Sequence, residues 1–168
     1  MKIRPEIAAD VAQIYEVNRL AFGREDEARL VDALRERGVV ICSLVADLDG
    51  LIVGHVLFSP ATLDDDGRHT TVAALGPVAV LPAHQRQGVG DALIRAGLAI
   101  CRDEGFTAVV VLGHSTYYPR FGFRPSRPLG IRWEHDAPEE AFMVMELVPG
   151  ALDGRRGIIR YQPEFDGV

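Results

Sequence analysis

The chain has 168 residues, 48% of them hydrophobic, enough for a single domain spanning 1–168 with a sizeable core. Its formal net charge of −6 argues against the basic face of a nucleic-acid binder, and no uninterrupted apolar run approaches the ~18 residues of a membrane span. Cys42 and Cys101 lie in apolar stretches outside any C-x-x-C pair and "MKIRPEIAAD" has no apolar signal core, so the expectation is reduced thiols in a cytoplasmic protein.

"MKIRPEI" reads as an edge strand, because Pro5 lacks the donor a central strand needs. Asp10 is then placed to cap a helix in which Val11, Ile14, Tyr15, Asn18 and Phe22 recur at helical spacing. A second amphipathic helix carries Ala28, Leu30, Val31 and Leu34 and stops at Gly38. "LDG" and "DDDGRH" are turn signals, and they predict a meander of three antiparallel strands near 40–48, 51–59 and 70–81. Gly76-Pro77 interrupts the third of these, which predicts a kink there. A helix follows over about 88–104, with Val89, Leu93, Leu98 and Cys101 on its apolar face and Gly105 as its stop. "TAVVVLG" is continuously apolar, as a strand covered on both faces would be, and it should run parallel to the kinked strand. "STYYPRFGF" predicts a short helical turn, "AFMVMELV" a strand, and "RRGIIRYQ" a last edge strand.

The chemistry centres on "PAHQRQGVGDAL". Gly88-Val89-Gly90 lacks the third glycine of a dinucleotide fingerprint, and Asp91 stands where a Walker lysine would be. What remains is a glycine turn at the mouth of a helix. Its free amides and positive dipole end suit a diphosphate, and Arg86 adds charge beside it; a plain tight turn is the alternative. Upstream, a strand kinked at Gly76-Pro77 would leave backbone groups of Val78, Ala79 and Val80 free to pair with an amide-bearing ligand arm.

"LGPVAVLPAHQRQGVGDALI" together with "YYPRFGF" resembles the GNAT superfamily of N-acetyltransferases, and within it a subgroup of predicted bacterial members. The resemblance spans roughly residues 1–148 and implies an α/β fold. Its sheet would have 6–7 mostly antiparallel strands, a splayed parallel pair at strands 4 and 5, and about four helices. It implies acetyl-CoA as co-substrate, with Val78, Ala79 and Val80 along the pantetheine arm and the Val80 amide polarising the thioester carbonyl. Gln85, Arg86, Gln87, Gly88, Val89 and Gly90 would hold the diphosphate. Tyr118, four residues before Gly122, takes the family's general-acid position, and Tyr117 is offset from it by one. The sequence departs from the family where an asparagine often contacts the cofactor: Val111 stands there, leaving Gly113, His114 or Ser115 to substitute.

No general base is evident; Glu27, His114 and a water relay stay open, and His55 would face the groove only if its strand parity allows. The histidines show no metal-ligand spacing, so no metal is expected. Trp133 is either an acceptor-pocket wall or ordinary packing. The implied activity is direct acetyl transfer to a primary amine of a small molecule, peptide or protein, without nucleic-acid or membrane partners and compatible with a homodimer. The alternative is an acyl-CoA-binding module without turnover.

Overall fold

Apolar residues at helical spacing between clear stops produce the first helices. In the computed structural model, which describes residues 1–168, strand β1 (Lys2–Pro5) precedes α1 (Val11–Phe22) and α2 (Asp26–Arg37). Ile14 and Val17 of α1 and Leu30, Val31 and Leu34 of α2 are buried together against the sheet. Asp10 does not cap α1 as expected. Its carboxylate accepts from the Ile7 N–H at 2.8 Å and pairs with Arg4, which ties β1 to the turn before the helix.

The meander forms as β2 (Cys42–Leu48), β3 (Leu51–Asp65) and β4 (Arg68–Val80). β3 runs past its expected end because Pro60 costs no ladder bond. It falls after Phe58, where pairing with β2 stops, and before Thr62, where β9 (Gly157–Arg160) takes over. β5 (Ala108–Leu112) pairs in parallel with β4 only from Ala73 to Leu75, and the ladder ends at Gly76-Pro77, where Gly76 has φ +135°. β8 (Phe142–Glu146) lies antiparallel to β5, and β6 (Arg124–Pro125) lies beyond it. The main path thus orders seven strands as β1-β2-β3-β4-β5-β8-β6. Instead of forming an edge, β9 is flanked by β3 and by β7 (Ile131–Trp133).

α3 (Val89–Asp103) covers the face opposite α1 and α2. It sits close on the sheet because Gly97 faces the Phe58 ring, and a Cβ there would overlap that ring. Leu93, Leu98 and Cys101 then pack with Phe58 and Val109. The expected fourth helix is a single 3-10 turn, Tyr118–Phe121. A second cluster, with Leu63, Val110, Ile131, Phe142 and Ile159, closes the C-terminal side of the sheet.

Candidate active site in the gap between two parallel strands

Beyond Leu75, β4 still pairs with β3 but no longer with β5, so the two parallel strands diverge. The Leu81 N–H donates to Val53 O, and an antiparallel ladder alternates its bonds. Ala79 therefore also turns its backbone groups to β3, whereas Val78 and Val80 turn theirs into the gap. Ala79 is 1% exposed, packed beneath α1 and α2. The sequence expectation of a free Ala79 backbone is corrected by this alternation.

One end of the gap opens on a cavity lined by Val80, Arg86, Gly88, Gly90, Tyr117 and Arg120, among others. Gly88 has φ +83°, a left-handed turn that glycine adopts without strain, and no side chain caps α3. The first helical bond runs from Ala92 N–H to Gly88 O, so the amides of Val89, Gly90 and Asp91 have no partner within the helix. They make a cradle with the positive end of the helix dipole behind it. Gln85 braces the loop by donating to Val80 O at 3.0 Å, while Gln87 folds back to donate to Ala83 O. Asp91, an anion in this cradle, accepts from the Tyr117 hydroxyl at 2.7 Å. The Arg120 guanidinium lies 3.7 Å from the same carboxylate and 4.4 Å from the Tyr117 ring centroid. Burial and the Asp91 contact push the Tyr117 hydroxyl up from its ordinary pKa.

The other end opens on a second cavity, lined by Val78, Tyr118, Glu27, His114, Trp133 and Tyr161, with further apolar side chains. Tyr118 rests on Gly113, and burial raises its hydroxyl to about 12. Glu27 is 6% exposed on the first turn of α2. Arg24 grips both its oxygens, with Nε 2.9 Å from Oε1 and Nη2 2.6 Å from Oε2. His114 is exposed at the rim. Trp133 stacks on Phe142 and also lines the cavity.

The sequence profile of the "Acetyltransferase (GNAT) domain" family matches residues 2–126. The chain is 36% identical over 167 residues to the uncharacterised N-acetyltransferase YhbS of Escherichia coli K12, covering 99% of each. The chain belongs to the GNAT acetyltransferases. It is also 44% identical over 119 residues to the uncharacterised N-acetyltransferase YjhQ of E. coli K12, covering 70% of this chain and 66% of that one. The crystal structure of E. coli YhbS in complex with CoA superposes with a TM-score of 0.92 at 35% identity, covering 98% of this chain and 91% of that one. A GNAT acetyltransferase from Brucella melitensis in complex with acetyl-CoA gives 0.81 at 37% identity, over 98% and 97%.

Within this GNAT fold the sequence-derived residues divide between the two cavities. Val80, Gln85, Arg86, Gly88, Val89 and Gly90 line the cradle, and Tyr118 and Glu27 line the other end. Val80, expected beside the thioester, stands at the cradle, and Val78 is the residue beside Tyr118. Ser115 is exposed and lines neither cavity, and the Gln87 side chain turns away from the cradle. His55 is fully buried: Asn18 Nδ2 donates to its Nδ1 at 3.1 Å, so its Nε2–H donates to Ser43 Oγ at 2.8 Å. It does not reach the groove. Sequence reasoning missed Tyr161, Phe165 and Val168, which wall the second cavity from the C-terminal segment. The available signal was the Tyr161/Phe165 pair at i,i+4 around Pro163; those rings meet with centroids 5.0 Å apart.

Proposed function

We propose that this acetyltransferase moves the acetyl group of acetyl-CoA directly onto a primary amine held in the aromatic cavity. One observation carries the reading: the gap-facing backbone of Val78 and Val80 joins the unpartnered amides of α3 to the cavity holding Tyr118 and Glu27. The residues fit such a donor. A chain of amides suits the amide-bearing arm, and a helix N-terminus with Arg86 suits its diphosphate.

Acetyl-CoA supplies the activated acyl carbon; the remaining tasks fall to this chain. The amides of Val89 and Gly90 with Arg86 hold the diphosphate, and Gln85 keeps the loop against β4. The Val78 amide donates to the carbonyl oxygen as charge grows there. Glu27 takes the proton the amine nitrogen loses as the C–N bond forms. Tyr118 gives its proton to the sulfur as the C–S bond breaks, and its raised pKa keeps that proton in place beforehand. Arg24, bonded to both carboxylate oxygens, holds Glu27 oriented.

Calorimetry with acetyl-CoA and thiol-release assays across an amine panel test the reading. Binding is expected, and Tyr118→Phe should lower turnover about tenfold or more with the acetyl-CoA affinity unchanged. Binding without thiol release for any amine would leave an acyl-CoA-binding module instead.

A further inference from the structure

Resting on that reading, we infer that the acceptor is an apolar, aromatic primary amine, selected by a cavity whose outer wall is the C-terminal segment. The cavity encloses about 430 Å³, in the range of small-molecule sites, and most of its lining is hydrophobic. Phe22 and Leu30 from the helices face Trp133, Tyr161, Phe165 and Val168. Its mouth is apolar as well. Phe22 (41% exposed), Leu112 (38%) and Val168 (46%) are among the chain's few exposed large hydrophobic side chains, and all three line this cavity.

Charge points the same way. Among the lining side chains there is one carboxylate, Glu27, and one guanidinium, Arg24, and these are bonded to each other. A polyamine or an aminoglycoside would bring several ammonium groups to a wall whose one carboxylate side chain is already paired, at the cost of desolvating each. An amine on an aromatic body brings one ammonium, which loses one proton to water before Glu27 takes the other as the C–N bond forms, while its ring meets rings.

The wall is built into the fold. Gln162 Nε2 donates to Pro60 O at 2.8 Å, Arg37 pairs with Glu164, and His135 Nε2 lies 3.1 Å from Asp166 Oδ1. β3, α2 and the segment after β7 therefore all hold the tail that carries Tyr161, Phe165 and Val168. Trp133 and these three lie beyond residues 2–126, the part shared with the family profile.

Trp133 is the chain's one tryptophan, so its emission reports occupancy of this cavity independently of turnover. The full chain, saturated with CoA, is titrated with 2-phenylethylamine, tryptamine excluded for its own emission, and with spermidine and kanamycin. A saturable emission change is expected with 2-phenylethylamine alone. With acetyl-CoA, kcat/KM for 2-phenylethylamine should exceed that for spermidine or kanamycin by about tenfold or more. Phe165→Leu and Phe165→Ala should lower it progressively while the KM for acetyl-CoA holds. A saturable emission change with 2-phenylethylamine alone, without acetylation of any amine, overturns the transfer reading and leaves the cavity's selectivity for an aromatic amine standing. Preference for spermidine or kanamycin, or no emission response to any amine, overturns the inference. An emission response to octanoyl-CoA in place of the amine overturns it too, because the cavity would then hold an acyl chain.

Discussion

The Tyr118 ring meets Gly113, just past the end of β5, with its edge, so closely that a Cβ at Gly113 would overlap Cε2. A residue that carries no side chain thus sets where the phenol stands. Gly113→Ala should push the ring off this seat while the cradle at α3 stays intact. The expected result is a turnover loss of about tenfold or more, since small displacements of a reacting group are costly. The acetyl-CoA affinity should change little. Equal turnover in variant and wild type would remove Gly113 from the positioning of Tyr118.

Burial sets the pH behaviour of the same phenol. It favours the neutral form and raises the pKa to about 12, so the proton is present below that pH and is lost only above it. Tyr118 should therefore give no alkaline limb between ~pH 7 and ~pH 10. Tyr118→Phe should lower kcat by a constant factor over that range. Rate profiles of the two proteins across it check this; a fall in wild-type rate near pH 9 that the variant lacks would contradict the assignment.

Adjacent tyrosines should separate in kinetics. Tyr117 is directed at the cradle, where its hydroxyl and Arg120 occupy the Asp91 carboxylate. Removing the hydroxyl bares more of that negative charge toward a bound diphosphate. A hydrogen bond to a charged group is worth roughly 1.5–3 kcal/mol, a scale whose lower end is about tenfold. Tyr117→Phe should raise the KM for acetyl-CoA on that order and leave kcat within about twofold. A kcat loss matching that of Tyr118→Phe would show that the two rings share one task.

Much of this arrangement was legible in the chain. The 3.6-residue period and the glycine turn locate α3, and Gly76-Pro77 marks where β4 leaves β5, because both are local. Which cavity a residue serves was not legible. Val78 and Val80 share a strand face about 7 Å apart, and only the placement of α3 and α2 decides which end meets the cradle. The kink alone suggests that Val78, Ala79 and Val80 are all free; that Ala79 instead turns to β3 follows from the bonds β3 takes, which the local sequence does not reveal. The C-terminal wall shows in the sequence only as the Tyr161/Phe165 pair, because its course is fixed by distant partners, Arg37 and Pro60, rather than by its own pattern. His55 sits on a strand whose apolar neighbours left its facing undecided, and burial on both faces of β3 settles it in the core.

That buried imidazole makes stability depend on pH. Burial, with a smaller contribution from Arg35, lowers the pKa of His55 to about 3, against about 6.5 in an unfolded chain. Between those values the unfolded state binds the proton and the folded state does not, so protons favour unfolding. The stability from this group is complete above about pH 6.5 and falls as the pH drops toward 3, by up to about 1.4 kcal/mol per unit. Asp10 and Asp47, whose carboxyls are held low by Arg4 and by backbone donors, add their own losses as they protonate, at the lower end of this range. The window between about pH 6.5 and pH 5 therefore belongs mainly to His55. Denaturant unfolding there should show the free energy falling with acid in the wild type. In His55→Gln, which can still meet Asn18 and Ser43, the curve should be flatter even if the variant is less stable throughout. Parallel curves for the two proteins would mean that His55 is protonated in the fold and that the Asn18–His55–Ser43 chain has another proton arrangement.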